Sequence, residues 1–187
     1  MCSQLLKRRE VLAALALATI SICVPACSKQ DTDAKAKAIP SKQGLTADGN
    51  PNPTADDRCP MCAMRAADHP GWAGAIELQN GDTFYTCSVR CTLATSLNSD
   101  TFLGVPRSNI ARVRVPHYLE KGSYLDAESA WYVVDSDVRG PMGLALLPAA
   151  TQEEAQILVR RHKGRVLSRT EVTMTLLKDL KQRSQGH

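Results

Sequence analysis

Residues 59–64 read Cys-Pro-Met-Cys-Ala-Met, and a second cysteine pair, Cys87 and Cys91, follows after 24 intervening residues. The first stretch alone holds four of the twelve cysteines and methionines in the chain (seven Cys, five Met), so the chemistry to consider is that of sulfur. A Cys-x2-Cys turn lets two thiolates face one ion, because the short loop between them curls around it. Cys87 and Cys91 stand four apart near the start of an expected helix, so both project from one face. The positive end of the helix dipole favours their thiolate forms. Three readings stay open. The four cysteines pair as two disulfides in one of three connectivities, although a bridge between residues four apart in a regular helix is geometrically disfavoured. Alternatively, four thiolates close a zinc site. In the third reading Cys59, Cys62, Cys87 and Cys91 act with the thioethers of Met64 and Met142 to hold Cu(I), which soft sulfur donors select. Zinc sites are built from thiolate, imidazole and carboxylate, so the nearby methionines favour copper. Met142 belongs to Gly-Pro-Met-Gly, a tight loop and not an apolar stripe, so it is either held at the surface for a purpose or is a buried plug under the turn. Met61 is the least certain of the sulfurs. His69, His117 and His162 are isolated and read as surface or satisfied histidines.

The compartment sets the redox state of those thiols. Lys7, Arg8 and Arg9 precede an apolar run from Val11 to Ile22, followed by Val-Pro-Ala-Cys at 24–27. That order is the mark of an export signal. Small Ala26 directly before Cys27 has the form of a lipobox, so residues 1–26 are expected to be removed and Cys27 to carry lipid. The apolar stretch is shorter than the roughly 20 residues that span a bilayer. Arg8-Arg9 leaves general secretory and twin-arginine export both open. Ser28, standing where aspartate would retain a lipoprotein at the inner membrane, points to the outer membrane. Residues 28–58 contain no aromatic residue and only two large aliphatic ones, Ile39 and Leu45. Such a segment buries too little apolar surface to offset its ordering entropy, which predicts a flexible tether over 27–58. Its reach is on the order of 30 Å. Once the signal leaves, the formal charge falls from +4 to +2. No basic stripe with interleaved aromatics remains, so nucleic acid is not an expected partner. Cys2 and Cys23 go with the signal, leaving Cys59, Cys62, Cys87 and Cys91 in an oxidising compartment.

The elements that must position these sulfurs begin after residue 58. Residues 72–78 and 83–87 are apolar runs flanking Gln79-Asn80-Gly81-Asp82, a strong hairpin signal. Residues 88–97 then carry Val89, Leu93 and Leu97 at helical spacing. Residues 109–119 alternate apolar and basic, predicting a strand with one wet face. Two further strands are expected over 129–136 and 143–149. Thr151 with Glu154 and Ser168 with Glu171 are capping-box pairs ahead of two helices, the first ending near Gly164. Val172, Leu176, Leu177 and Leu180 form the stripe of the last helix. The order predicts an α+β domain over 59–187 built from two ββα-like halves.

The cysteine–methionine stretch, the Pro141-Met142-Gly143 loop after a strand, the helix beyond it and the closing Lys163-Gly164-Arg165-Val166 together resemble the NosL family of copper-binding accessory lipoproteins. The likeness extends to the lipobox at Cys27 and covers nearly the whole chain. It implies Cu(I) held by cysteine and methionine and handed to a copper-receiving enzyme or its assembly complex, with nitrous oxide reductase as the family's client. It also implies a fold of two ββα-like halves, similar to the metal-binding part of organomercurial lyase, and no enzymatic activity. Two departures stand out. Ala63 occupies a position where the family has glycine, and Cys87-x3-Cys91 replaces an acidic pattern, as in TRASH-type metal-trafficking modules. Two other functions stay in view. One is a thiol-disulfide oxidoreductase using Cys59 and Cys62, though such motifs open a helix after a strand. The other is a structural lipoprotein stapled by zinc or disulfides.

Overall fold

The computed structural model describes residues 38–185. The expected signal at 1–26, the lipid-bearing Cys27 and the tether as far as residue 37 lie outside the described residues.

Two units of one design make up the fold. In the first, β1 (Gly74–Leu78) and β2 (Thr83–Thr86) form the hairpin, turning through Gly81 at a φ of 87°. Helix α1 (Val89–Leu97) follows, with a short α2 (Ser99–Phe102). Strand β3 (Ile110–Pro116) returns antiparallel to β1, and β4 (Tyr124–Asp126) adds to its far side, giving the order β2-β1-β3-β4. In the second unit β5 (Trp131–Val134) takes the central place of β1. A two-residue-per-strand hairpin, β6 (Arg139–Gly140) and β7 (Gly143–Leu144), projects before β8 (Leu147–Ala149) pairs with β5. Helix α3 (Gln152–His162) leads to β9 (Arg165–Leu167), which returns antiparallel to β5 in the order β8-β5-β9. Helix α4 (Met174–Gln185) closes the chain. Each half is therefore ββα plus a strand that comes back to the first, within the expected α+β class.

Strand alternation sets what each face meets. Ile76 stands opposite both Phe84 and Val113, and these three enter a core shared with Tyr132, Val134 and Leu167 of the second sheet. Helices α1 and α4 supply Val89, Leu93, Leu177 and Leu180 to the same core. The other face of β5 and β8 carries Val133 and Leu147 and packs on Ala155 and Leu158 of α3. Helix α1 is buried on every side from Val89 to Ser96, far beyond the single stripe its spacing predicts. Its inward polar groups are partly satisfied by β2 and by the helix cap: Thr92 Oγ1 meets Thr86 Oγ1 at 2.6 Å and donates to Ser88 O at 3.0 Å. A β-carbon on Gly74 would run into Thr92 and the Arg114 carbonyl, so glycine lets β1 approach α1.

Four boundaries differ from expectation. Residues 143–149 form two short strands and not one, because Gly143 closes a hairpin at a φ of 90°. Strand β4 carries too few residues to show a period. The Ser168–Glu171 capping box does form, but it caps a 3-10 turn over Arg169–Glu171; α4 starts at Met174, with Thr173 Oγ1 accepting from Leu176 N at 3.3 Å. Finally, residues 41–57, expected within the tether, are laid on the first sheet. Ser41 N donates to Thr83 O at 2.6 Å, Tyr85 donates its hydroxyl proton to Gly44 O, and Asn52 N donates to that hydroxyl at 3.2 Å. Leu45 packs with Ala75 and Tyr85. Polar contacts to an established sheet, invisible to composition, hold this segment.

Leu93 is fully buried where α1 meets both sheets. Leu93→Ala is expected to cost about 2–5 kcal/mol, read from the urea midpoint at unchanged slope. A loss below about 1 kcal/mol would show that α1 is not wedged in the shared core.

Candidate metal centre

The Cys-Pro-Met-Cys-Ala-Met stretch folds into a knuckle. Cys59 N donates to Met64 O at 2.9 Å and Ala63 N donates to Cys59 O at 2.8 Å, while Arg58 and Arg65 form a β-bridge at its base. These bonds close a tight loop that turns Cys59 and Cys62 to one side. The reversal requires a left-handed residue, and Ala63 supplies it at a φ of 62°. The second pair comes from the start of α1. Ser88 is the N-cap, its hydroxyl accepting from Cys91 N at 3.2 Å, so Cys91 is held in the first turn and Cys87 just before it.

The sulfurs of Cys59, Cys62, Cys87 and Cys91 all lie within 4.8 Å of one another. Cys62 Sγ is 3.3 Å from Cys87 Sγ, and Cys87 Sγ is 3.8 Å from Cys91 Sγ. All four cysteines are free thiols. Cys59, Cys87 and Cys91 are buried and Cys62 is partly exposed. Met61, Met64 and Met142 pack around them, Met61 also reaching the main core. Met142 stands at the tip of the β6–β7 hairpin, the tight loop its sequence context suggests. The structure thus brings together all six expected sulfurs. It leaves the histidines elsewhere: His117 Nε2 is 2.8 Å from Glu154 Oε2, and His162 lies edge-on to Tyr118.

Electrostatics show what the pocket can accept. The Cys59 thiol is held far below the usual cysteine range, because Cys62, Cys87 and Cys91 all hydrogen-bond to its sulfur. At Cys62 the bond with Cys59 raises the pKa, and those with Cys87 and Cys91 outweigh it, so the thiol ends below its ordinary value. Cys87 and Cys91 are driven far up, first by their bonds to Cys59 and Cys62. Negative charge therefore gathers on the knuckle pair, Cys59 and Cys62, while Cys87 and Cys91 hold their protons. Further ionisation in low dielectric needs a cation. Four sulfurs this close around one point fit a soft metal ion, since metal–sulfur bonds of about 2.3 Å put tetrahedral ligands roughly 3.8 Å apart.

One charged neighbour escaped the sequence reading. Arg90 lies between Cys87 and Cys91 in sequence and is only 4% exposed. Burial lowers its pKa, and the charges of Cys91, Cys87 and Cys62 raise it again. A signal was present, because a basic residue in the first turn of a helix opposes the dipole and so calls for a separate reason.

Comparison with known proteins agrees with this architecture. The family model NosL matches residues 51–177. The copper-binding lipoprotein NosL of Stutzerimonas stutzeri is 32% identical over 126 residues, covering 66% of this chain. The chain spans 65% of the length of that relative. The crystal structure of the copper chaperone NosL from Shewanella denitrificans superposes with a TM-score of 0.58 at 19% identity. That match covers 67% of this chain and 96% of the other, and shows a shared fold.

A left-handed alanine stores backbone strain that glycine would not. Ala63→Gly is therefore expected to stabilise the protein by about 1 kcal/mol, raising Tm by roughly 2–4 °C in a thermal melt. An unchanged or lower Tm would mean the knuckle is not strained at this residue.

Proposed function

The chain belongs to the NosL family, and on that premise we propose that it is a copper(I)-binding chaperone held at the cell envelope, which delivers copper to a copper enzyme. The observation that carries the proposal is the gathering of four cysteine sulfurs within 4.8 Å, with Met64 and Met142 packed against them. This donor set suits a soft monovalent cargo: thiolates supply charge, and thioethers add neutral ligands that hard ions decline. Cys62, the most exposed of the four cysteines, is where an incoming ligand would exchange with least disturbance. Chaperone function requires such access, whereas a site built only to hold the fold closes completely.

Nitrous oxide reductase is the proposed client, as the family resemblance implies. Anchoring through lipid on Cys27 at the outer membrane is proposed from the lipobox and Ser28. The relative from Stutzerimonas stutzeri is itself described as a lipoprotein. Among the described residues no helix is long and apolar enough to cross a membrane. An enzymatic role is not proposed. The oxidoreductase reading loses ground because Cys59 and Cys62 sit in a knuckle among two further thiols, and not as an isolated pair opening a helix.

A second reading has its own support. Three of the four cysteines are buried, as in a closed structural zinc site. Anaerobic titration of the reduced protein with Cu(I) separates the two. The copper reading expects Cu(I) uptake, and expects Met64→Leu and Met142→Leu each to weaken it by about tenfold with little change in zinc affinity. Failure to take up Cu(I) would refute that reading. Tightly retained zinc in a protein that takes up no Cu(I) would establish the structural one.

A further inference from the structure

Arg90 contributes nothing to the sulfur donor set, yet it is placed where α1, α4 and the β6–β7 hairpin meet. Its Nη2 donates to the main-chain carbonyl of Met142, and its Nη1 donates to Ser184 Oγ at 3.4 Å. Ser184 Oγ in turn accepts from Leu144 N at 2.9 Å and donates to Leu180 O at 2.6 Å. The hairpin is therefore gripped on both sides of its tip, at Met142 O by Arg90 and at Leu144 N by Ser184. A β-carbon on Gly143 would run into the Ser184 side chain, so the close seat on α4 depends on glycine at this position.

That placement is expensive. A guanidinium is desolvated, its Nε finds no hydrogen-bond partner, and it faces the positive end of a helix. A methionine or leucine would fill the same space without those penalties, so packing alone does not account for an arginine. Its neighbours do: Cys87 and Cys91 flank it in sequence, and the carbonyl it holds belongs to the residue whose sulfur packs on the cluster.

We propose that Arg90 is the positioning residue of the copper site: its guanidinium fork latches the hairpin tip so that Met142 is seated on the four cysteines, and its charge offsets the thiolates beneath. The proposal rests on the copper reading above. It explains how a thioether on a two-residue turn, a place with few packing constraints, is held steadily enough to serve as a ligand. The conservative change Arg90→Lys keeps the charge but loses the planar fork.

The test is a double-mutant cycle on the full chain, with Cu(I) affinity read by competition against a colorimetric chelator. Arg90→Lys and Met142→Leu are each expected to weaken binding about tenfold. Because Arg90 acts through Met142, the double variant is expected to lose little more than either single one. Additive losses approaching a hundredfold, or no loss in Arg90→Lys, would overturn the proposal. If Arg90→Lys does not fold, Ser184→Ala replaces it, since that change keeps the charge and removes the Leu144 anchor. It is expected to weaken binding about threefold with Met142 present and not at all with Met142→Leu. Equal losses in both backgrounds would overturn the proposal as well. Wild-type chain that takes up no Cu(I) would instead refute the copper reading itself.

Discussion

Four sulfur atoms are held close together where water is largely excluded, and the rest of the structure is arranged around that condition. In such a nest negative charge gathers at Cys59 and Cys62, while Cys87 and Cys91 keep their protons. A soft cation relieves the arrangement by replacing those protons, which makes the pocket receptive to metal. The knuckle at 59–64 and the capped start of α1 each contribute one pair. Neither pair would find the other without β1, β2 and the buried helix between the two sheets.

The six sulfurs fall into two groups with different mechanical footing. The cysteines and Met64 stand on a hydrogen-bonded knuckle and a helix N-terminus, both tied to the core. Met142 stands on a two-residue turn, and its position depends on Arg90, Ser184 and Gly143. This division suits a carrier. On the proposed copper reading, the cysteine floor would retain the ion and the latched Met142 would add a neutral ligand from a separate element. Cys87 and Cys91 give the floor its second pair of sulfurs, and the buried arginine between them adds a positive charge.

Most of the site was legible from residue types and spacing. The hairpin at Asn80-Gly81, a helix starting beside Cys91, and the tight turn carrying Met142 all follow from local rules that hold whatever the tertiary fold, whereas Cys87, expected on one helix face with Cys91, precedes the extended N-cap Ser88. Less was legible where contacts are distant. Residues 41–57 have the composition of a tether, yet Tyr85, Thr83 and Ala75 give them backbone partners and a small apolar seat. Ser168 and Glu171 signal a helix start correctly but nucleate only a 3-10 turn, because the chain extends again at Val172 before α4. Arg90 could be flagged as misplaced from its position in the first turn of a helix. Its partners, 52 and 94 residues away, come only with the fold.

The central claim is that both cysteine pairs form one copper site. It is tested most directly by comparing the Cu(I) affinity of the Cys87→Ser/Cys91→Ser protein with that of the Cys59→Ser/Cys62→Ser protein. A single site predicts that removing either pair weakens Cu(I) binding by at least about a hundredfold. Affinity that survives the loss of Cys87 and Cys91 while collapsing without Cys59 and Cys62 would contradict it.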